Sequence, residues 1–228
     1  MTNASPMPPL YRGGDIERLG VDLPVLERVD RWCHEFLMRP NPDLGRSGSV
    51  CPYLPKAMGL NRIAFVVVRT AGRTDDEVDA VIAQFRQVFL AMEPASGPES
   101  LEKAILIILP DVSEEDAPGM VDETHRRLKA EFVASGLMIG KFHPASEQGG
   151  LHNPGFRPLR SPIPLLAIRH MVGSDLPFLN RPDDPVPDRI GFLESYEQRF
   201  DGADGADGGR WAERGRAVLT EIRDGERR

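Results

Sequence analysis

The chain lacks the features that mark several large classes of protein. Its 228 residues include only two cysteines, Cys33 and Cys51, which is too few for a disulfide scaffold. No run approaches the roughly 20 apolar residues of a membrane-spanning helix. The first ten residues lack the charged start and apolar core of a secretory signal. These absences predict a cytoplasmic protein with no membrane partner.

Positive charge is also scarce. The chain carries 28 Lys and Arg against 35 Asp and Glu, for a net charge of −7. A general nucleic-acid binder needs a basic face to neutralise phosphates, so we expect no nucleic-acid partner. The sequence contains no GxSxG elbow, Walker loop or GxGxxG, and no CxxC or HxxxH pair of metal ligands. The common nucleotide and serine-hydrolase sites are therefore excluded, and a bare metal site is only weakly signalled.

The composition is that of a globular protein, with 40% hydrophobic and 28% charged residues. This length predicts a single domain over residues 1–228. Residues 1–20 are polar and rich in proline, which predicts a loosely ordered arm. Residues 201–209 read DGADGADGG, and we expect a flexible acidic linker before a C-terminal helix.

Apolar periodicity and helix caps predict an α/β fold, with α+β as the alternative. The expected architecture is a layered sheet of about four strands with helices packed on it. The direction of the last strand does not follow from the pattern. The predicted helices are 23–38, one from the Thr74 capping box, one from Ser113 to Gly136, 188–200 and 210–223, and the predicted strands are 62–70, 104–109, 137–142 and 164–171.

The loop between the last two predicted strands concentrates the polar chemistry. It runs from His143 to Ile163, and loops this long in compact domains are usually functional. His143 follows a strand end, where α/β sheets place ligand-binding groups. It can act as an axial metal ligand, a general base or a hydrogen-bond donor, or it can be a structural histidine. His152 and His170 are further candidates.

Three arginines accompany these histidines. Guanidinium groups bind carboxylates in a bidentate fork. Arg157, Arg160 and Arg169 can therefore hold the carboxylates of a cofactor or substrate, or pair with the surplus acids of this chain. Cys51 lies in a Gly/Ser/Pro loop ahead of the first strand, where it can be a thiolate ligand, a redox thiol or a small buried hydrophobe.

Two segments carry a resemblance to known families. RSGSVCPYLPKAM around Cys51 and FHPASEQGGLHNPGFRPLRSPIPLLAIRHM from Phe142 resemble an uncharacterised domain family of bacterial specialised-metabolism clusters. More distantly, their order is similar to that of the YqcI/YcgG family, which has Phe-Pro-Cys, then Leu-His-Pro-x-Ser, then a proline-rich stretch with arginine. In this chain Cys51 precedes its proline, and Phe142-His143-Pro144-Ala145-Ser146 stands in the place of Leu-His-Pro-x-Ser.

Some members of the YqcI/YcgG family are haem-dependent enzymes that N-hydroxylate guanidines of amino acids. The resemblance implies haem b, with His143 as the proximal iron ligand and Arg157 or Arg160 binding propionates or substrate. It thus predicts a haem-dependent oxidative enzyme, an oxygenase or N-hydroxylase, acting on a small amine- or carboxylate-bearing metabolite. The alternatives are a non-catalytic haem or small-ligand binding protein, such as a sensor or carrier, and an accessory protein that docks a partner enzyme. A homodimer is also expected.

Overall fold

The computed structural model describes residues 7–13, 15, 20–201 and 206–226. Within these ranges the chain forms a four-stranded sheet with helices packed on it, which confirms the predicted α/β fold. The helices are α1 (Leu23–Trp32), α2 (Leu54–Gly59), α3 (Asp75–Ala91), α4 (Glu123–Ala134), α5 (Leu176–Leu179), α6 (Val186–Phe200) and α7 (Ala206–Glu226), and the strands are β1 (Ile63–Val67), β2 (Ala104–Ile108), β3 (Leu137–Phe142) and β4 (Leu165–His170).

The sheet has the strand order β1-β2-β4-β3. Strands β1 and β2 are parallel, with Phe65 opposite Leu106, whereas β4 runs antiparallel to β2, with Ala167 opposite Leu106. Both faces of β1 are covered, since Phe65 and Val66 are each fully buried. Apolar, β-branched runs are typical of such strands.

The capping residues found in the sequence act as predicted. The amide of Glu77 donates to Thr74 Oγ1 at 3.3 Å, and the amide of Thr74 donates to the Glu77 carboxylate at 2.8 Å, which begins α3. The amide of Asp116 donates to Ser113 Oγ at 3.1 Å ahead of the next helix. Gly136 follows α4 with a φ of +71°, a conformation that costs glycine little.

Two helices occupy segments for which no helix was predicted. Helix α2 follows directly after the Gly/Ser/Pro loop of Cys51, and its Leu54 and Ala57 are buried. Proline in its first turn is compatible with the helix because the first amides need no partner there. The other is the short α5. In both cases packing overrides weak local propensity.

Both chain ends differ in part from expectation. Tyr11 forms two hydrogen bonds with the backbone of Phe65, at 2.8 and 2.7 Å, so the predicted N-terminal arm is attached to β1 at this point. Residues 1–6, 14 and 16–19 of the arm lie outside the described residues. Helix α7 begins at Ala206, inside the predicted linker of 201–209, so the helix extends further than expected. Residues 202–205 of that linker are not described.

The contacts divide the chain into two compact units. Unit 1 comprises Met1–Arg126 and Gly140–Arg169, and unit 2 comprises Arg127–Ile139 and His170–Arg228. The division falls within α4 and β3, and a single domain stays a prediction. None of the helices in the described ranges is long and apolar enough to cross a bilayer.

Each unit has a hydrophobic core of its own. In unit 1, α1 packs its buried face against one side of β1 and β2. In unit 2, α6 and α7 enclose a second cluster that includes Tyr196. The buried members of the first core include Leu26, Val29, Cys33, Ile63, Phe65, Val67, Leu106, Ile108 and Leu165, and those of the second are Val133, Met138, Met171, Leu179, Phe192, Leu193, Tyr196 and Leu219.

Candidate functional site

A row of aromatic rings lies beside the first core. Trp32 ends α1, and Phe36 follows it by four residues in the π-helical turn Cys33–Leu37, so both rings project from one side of the helix. Their centroids are 6.3 Å apart in a stacked arrangement. Phe142, at the end of β3, meets Trp32 edge-on at 5.7 Å, and Phe156 lies 6.0 Å from Phe36. The row joins two segments that are distant in sequence.

A cleft of about 720 Å³ opens over this row. Its apolar wall consists of Trp32, Phe36 and Phe156. Its polar rim is formed by residues of two loops. The lining residues are Trp32, Phe36, Asp43, Asn153, Gly155, Phe156, Arg157 and Arg160. The cleft thus combines flat apolar faces with two guanidinium groups.

The long loop after β3 is folded tightly enough to hold this rim in place. The amide of Gly150 donates to the carbonyl of Phe156 at 2.9 Å, which closes the loop on itself. Asn153 Nδ2 donates to the carbonyl of Asp43 at 2.7 Å, which ties it to the neighbouring loop. A Cβ on Gly149 would lie 2.6 Å from the carbonyl oxygen of Pro154, so this close approach requires glycine.

The two cleft arginines are held by backbone carbonyls. Arg157 Nη1 donates to the carbonyl of Pro154 at 2.5 Å, and Arg160 Nε donates to that of Ser146 at 3.0 Å. Both also pair with Glu147, Arg157 through Nε at 3.2 Å and Arg160 through Nη2. Hydrogen bonds from Arg157 and Arg160 hold the pKa of Glu147 below its usual value.

His143 lies at the base of the same loop, but it does not line the cleft in the described part of the chain. The residue is 2% exposed, and Nε2 lies 3.1 Å from Asp122 Oδ1. Lys141 Nζ lies 3.2 Å from that same oxygen. Within the described residues, Nδ1 of His143 has no hydrogen-bond partner. If Nε2 carries the proton, the carboxylate fixes that tautomer and Nδ1 presents a lone pair.

The other predicted candidates are dispersed. Arg169 lies in β4 opposite Ala104, and His170 is the buried last residue of that strand. His152 is exposed. It packs closely on Gly45, since a Cβ added to Gly45 would lie 2.9 Å from the Cβ of His152. Among the residues described, none of these three lines the cleft.

Cys51 and Ser146 support the site through their backbones. The amide of Cys51 donates to the carbonyl of Leu37 at 2.8 Å, and its side chain packs against the first core. Ser146 is buried and gives its carbonyl to Arg160. Cys51 is only partly buried, and its role as a thiolate ligand, a redox thiol or a small hydrophobe stays a prediction. Burial raises the pKa of the other thiol, Cys33, and the nearby Asp30 and Cys51 raise it further.

A second cleft, of about 410 Å³, lies near the carboxyl ends of the parallel strands β1 and β2 and is lined in part by Asp75, Asp111 and Asp116. Burial raises the pKa of Asp111, but hydrogen bonds from Arg69, Ala71 and Thr70 outweigh this effect and lower it. Asp111 thereby holds the segment after β1 in place. The described residues contain no group of three or more His, Cys, Asp or Glu arranged to hold a metal ion.

Sequence reasoning identified the cleft arginines and missed most of their surroundings. Trp32 and Phe36 lie four residues apart within the predicted helix 23–38, and that spacing was the available signal. Asp122 was not singled out, because it lies 21 positions before His143 on another element. Asn153 and Asp43 are 110 positions apart, and no local sequence pattern predicts their contact.

A family model described as a domain of unknown function, DUF6875, matches residues 26–207, which is more than half of the chain. No curated protein and no solved structure matches this chain.

Proposed function

This chain belongs to the DUF6875 family, and we propose that it binds a flat, anionic small molecule in the cleft of unit 1. The observation that supports this proposal is the juxtaposition of Trp32, Phe36 and Phe156 with Arg157 and Arg160 around one cavity of about 720 Å³. Small-molecule sites in proteins typically combine apolar walls with a few placed polar groups.

Each part of the cleft selects a different property of the ligand. Aromatic faces favour a flat ring system, because offset-stacked and edge-to-face contacts add to the gain from burying apolar surface. Guanidinium groups favour an anion, and a carboxylate suits their paired donors. Among the lining residues, Asp43 supplies the one carboxylate, which can accept from an amine on the ligand.

The proposal is tested by titrating the protein with 2-naphthoate and following the two indole N–H resonances by NMR. Trp32 lines the cleft and Trp211 lies in the other unit, so only the Trp32 resonance is expected to shift to saturation. For a ligand of this size we expect a dissociation constant of about 0.1 to 1 mM. The Trp211→Phe variant assigns the two signals.

Matched arginine variants test whether the arginines of the cleft bind the anionic group of the ligand. Arg157→Gln is expected to weaken 2-naphthoate binding about three- to tenfold, because it removes charge-assisted hydrogen bonds. Arg126→Gln removes another exposed arginine, paired with Glu123 outside the cleft, and leaves the affinity unchanged. A Trp32 resonance that does not move at millimolar 2-naphthoate would contradict the proposal.

A haem-dependent oxidative enzyme is the second proposal. The cleft residues suit the faces and propionates of haem, and His143 has the carboxylate partner typical of ligating histidines. His143 would have to hold the iron, but it does not fit that role in this conformation, since it is 2% exposed and lies off the described cleft wall. Iron ligation would therefore require the side chain of His143 to become accessible.

Absorption spectroscopy with haemin tests this second proposal separately. Ligation by His143 predicts a shifted Soret band in the wild-type protein and a different band in His143→Ala, because the axial ligand sets the electronic state of the iron. If the wild-type protein takes up no haemin, the haem proposal is wrong whether or not 2-naphthoate binds. Identical spectra would remove His143 as the ligand.

We also propose a cellular location, a partner and an oligomeric state for this protein. We place the protein in the cytoplasm, which is supported by two cysteines that are both free thiols. Its partner would be a small-molecule substrate or ligand. The homodimer stays a prediction, which sedimentation equilibrium tests.

A further inference from the structure

Glu147 occupies the position in which a ligand carboxylate would meet the two cleft arginines. One of its oxygens pairs with Arg157 and the other with Arg160. Each guanidinium therefore meets one oxygen of a single planar carboxylate. The spacing of the two arginines thus matches a group with two oxygens in one plane.

The arginines do not depend on Glu147 for their positions. Arg157 Nη1 donates to the backbone carbonyl of Pro154 at 2.5 Å, and Arg160 Nε donates to that of Ser146 at 3.0 Å. These nitrogens are not the ones that pair with Glu147, so a ligand need not use them. Arg157 Nη2 and Arg160 Nη1 have no protein partner among the described residues, which leaves donors for an incoming group. If Glu147 moved away, both guanidinium groups would remain fixed at the rim.

Glu147 itself is easily displaced. Its side chain is 71% exposed, and exposed ion pairs are weak because water screens and replaces them. The charged groups that contact it within the described chain are Arg157 and Arg160, and together they lower its pKa. An exposed carboxylate therefore covers two well-anchored cations.

We propose that Glu147 is an internal stand-in for the ligand, and that a ligand carboxylate binds by exchanging with it across Arg157 and Arg160. This inference rests on the proposed function and deepens it, since it specifies a flat carboxylate rather than any anion. Glu147 is then a specificity-determining residue. It lowers the affinity of the cleft for anions that cannot bridge both arginines.

The test compares Glu147→Gln with the wild-type protein in the 2-naphthoate titration. Removing the competing charge is expected to tighten binding about two- to fivefold, in line with the small stabilisation of exposed ion pairs. Neutral 2-naphthamide should bind both proteins equally. 2-Naphthalenesulfonate, which carries its charge on a tetrahedral group, should bind more weakly than 2-naphthoate. Glu123→Gln changes the net charge equally, outside the cleft, and should leave binding unchanged.

A second measurement distinguishes exchange from a structural role. In the free protein the hydrogen bonds from Arg157 and Arg160 hold the pKa of Glu147 below its usual value. An NMR pH titration should find that saturation with 2-naphthoate returns this pKa toward the usual value, because the arginines are released. Weaker or unchanged 2-naphthoate binding by Glu147→Gln would overturn the exchange while leaving the proposed function intact. Sulfonate binding equal to that of carboxylate would also overturn it. Binding by neither protein would remove both proposals.

Discussion

Tyr196 is the largest fully buried side chain of unit 2, and its hydroxyl group is committed to one partner. It donates to the carbonyl of Gly173 at 2.6 Å. Tyr196→Phe leaves that carbonyl without its donor, and we expect a loss of about 1–3 kcal/mol in the free energy of unfolding. Urea denaturation measures this loss, and a variant as stable as the wild-type protein would show that the hydrogen bond is not formed.

The same residue predicts a dependence of stability on alkaline pH. Burial raises the pKa of Tyr196 to about 12 from 10.0, so the folded protein keeps its proton where the unfolded chain loses it. The raised pKa contributes stability that is complete below pH 10 and falls as the pH rises toward 12. The wild-type protein should lose this contribution across that interval, and Tyr196→Phe should not. Parallel pH profiles for the two proteins would contradict the prediction.

Gly173 packs directly against the ring of Trp211. A Cβ at this position would lie 2.2 Å from Cε2 of Trp211, inside the ring's own space. Gly173→Ala should therefore destabilise the protein by about 1–3 kcal/mol or more, through overpacking. Urea denaturation provides the measurement.

Gly191 supplies the matched control. It lies inside α6, and an added Cβ would meet nothing within 4 Å. Gly191→Ala should raise the free energy of unfolding by about 0.5–1 kcal/mol, since alanine is the better helix former. If both alanine variants changed stability alike, the packing of Trp211 on Gly173 would be refuted.

At the scale of single elements, α3 depends on its N-terminal capping box. Thr74 and Glu77 satisfy each other's amides, and replacing such a cap by alanine costs about 1 kcal/mol. Thr74→Ala should lower the midpoint of urea denaturation, whereas Thr74→Ser keeps the hydroxyl and most of the stability. An equal loss in both variants would show that the methyl group matters rather than the hydrogen bond.

At the scale of the whole molecule, net charge governs which partners are attracted. With a net charge of −7, the protein should repel nucleic acid. Non-specific binding requires cations that release counterions from phosphates. Fluorescence anisotropy of a labelled DNA duplex should therefore stay unchanged as protein is added at low salt. A salt-dependent rise in anisotropy would reveal a basic surface that the overall charge conceals.

The sequence by itself determined the helices and strands whose signals are local. The Thr74 capping box, the Gly136 helix end and the β-branched runs of β1 and β2 each depend on neighbouring residues, so their structures follow from short windows. It also identified Arg157 and Arg160, whose loop stands out by its length and composition.

Only the tertiary structure decided how these parts meet. The antiparallel direction of β4 is set by sheet pairing, which the apolar pattern of a buried strand does not encode. The cleft joins Trp32 and Phe36 to a loop more than a hundred residues later, and the partner of His143 is the distant Asp122. Such contacts form because burying apolar surface brings remote segments together. The free energy gained by this burial depends on the whole packed molecule, so it cannot be derived from any single segment of the sequence.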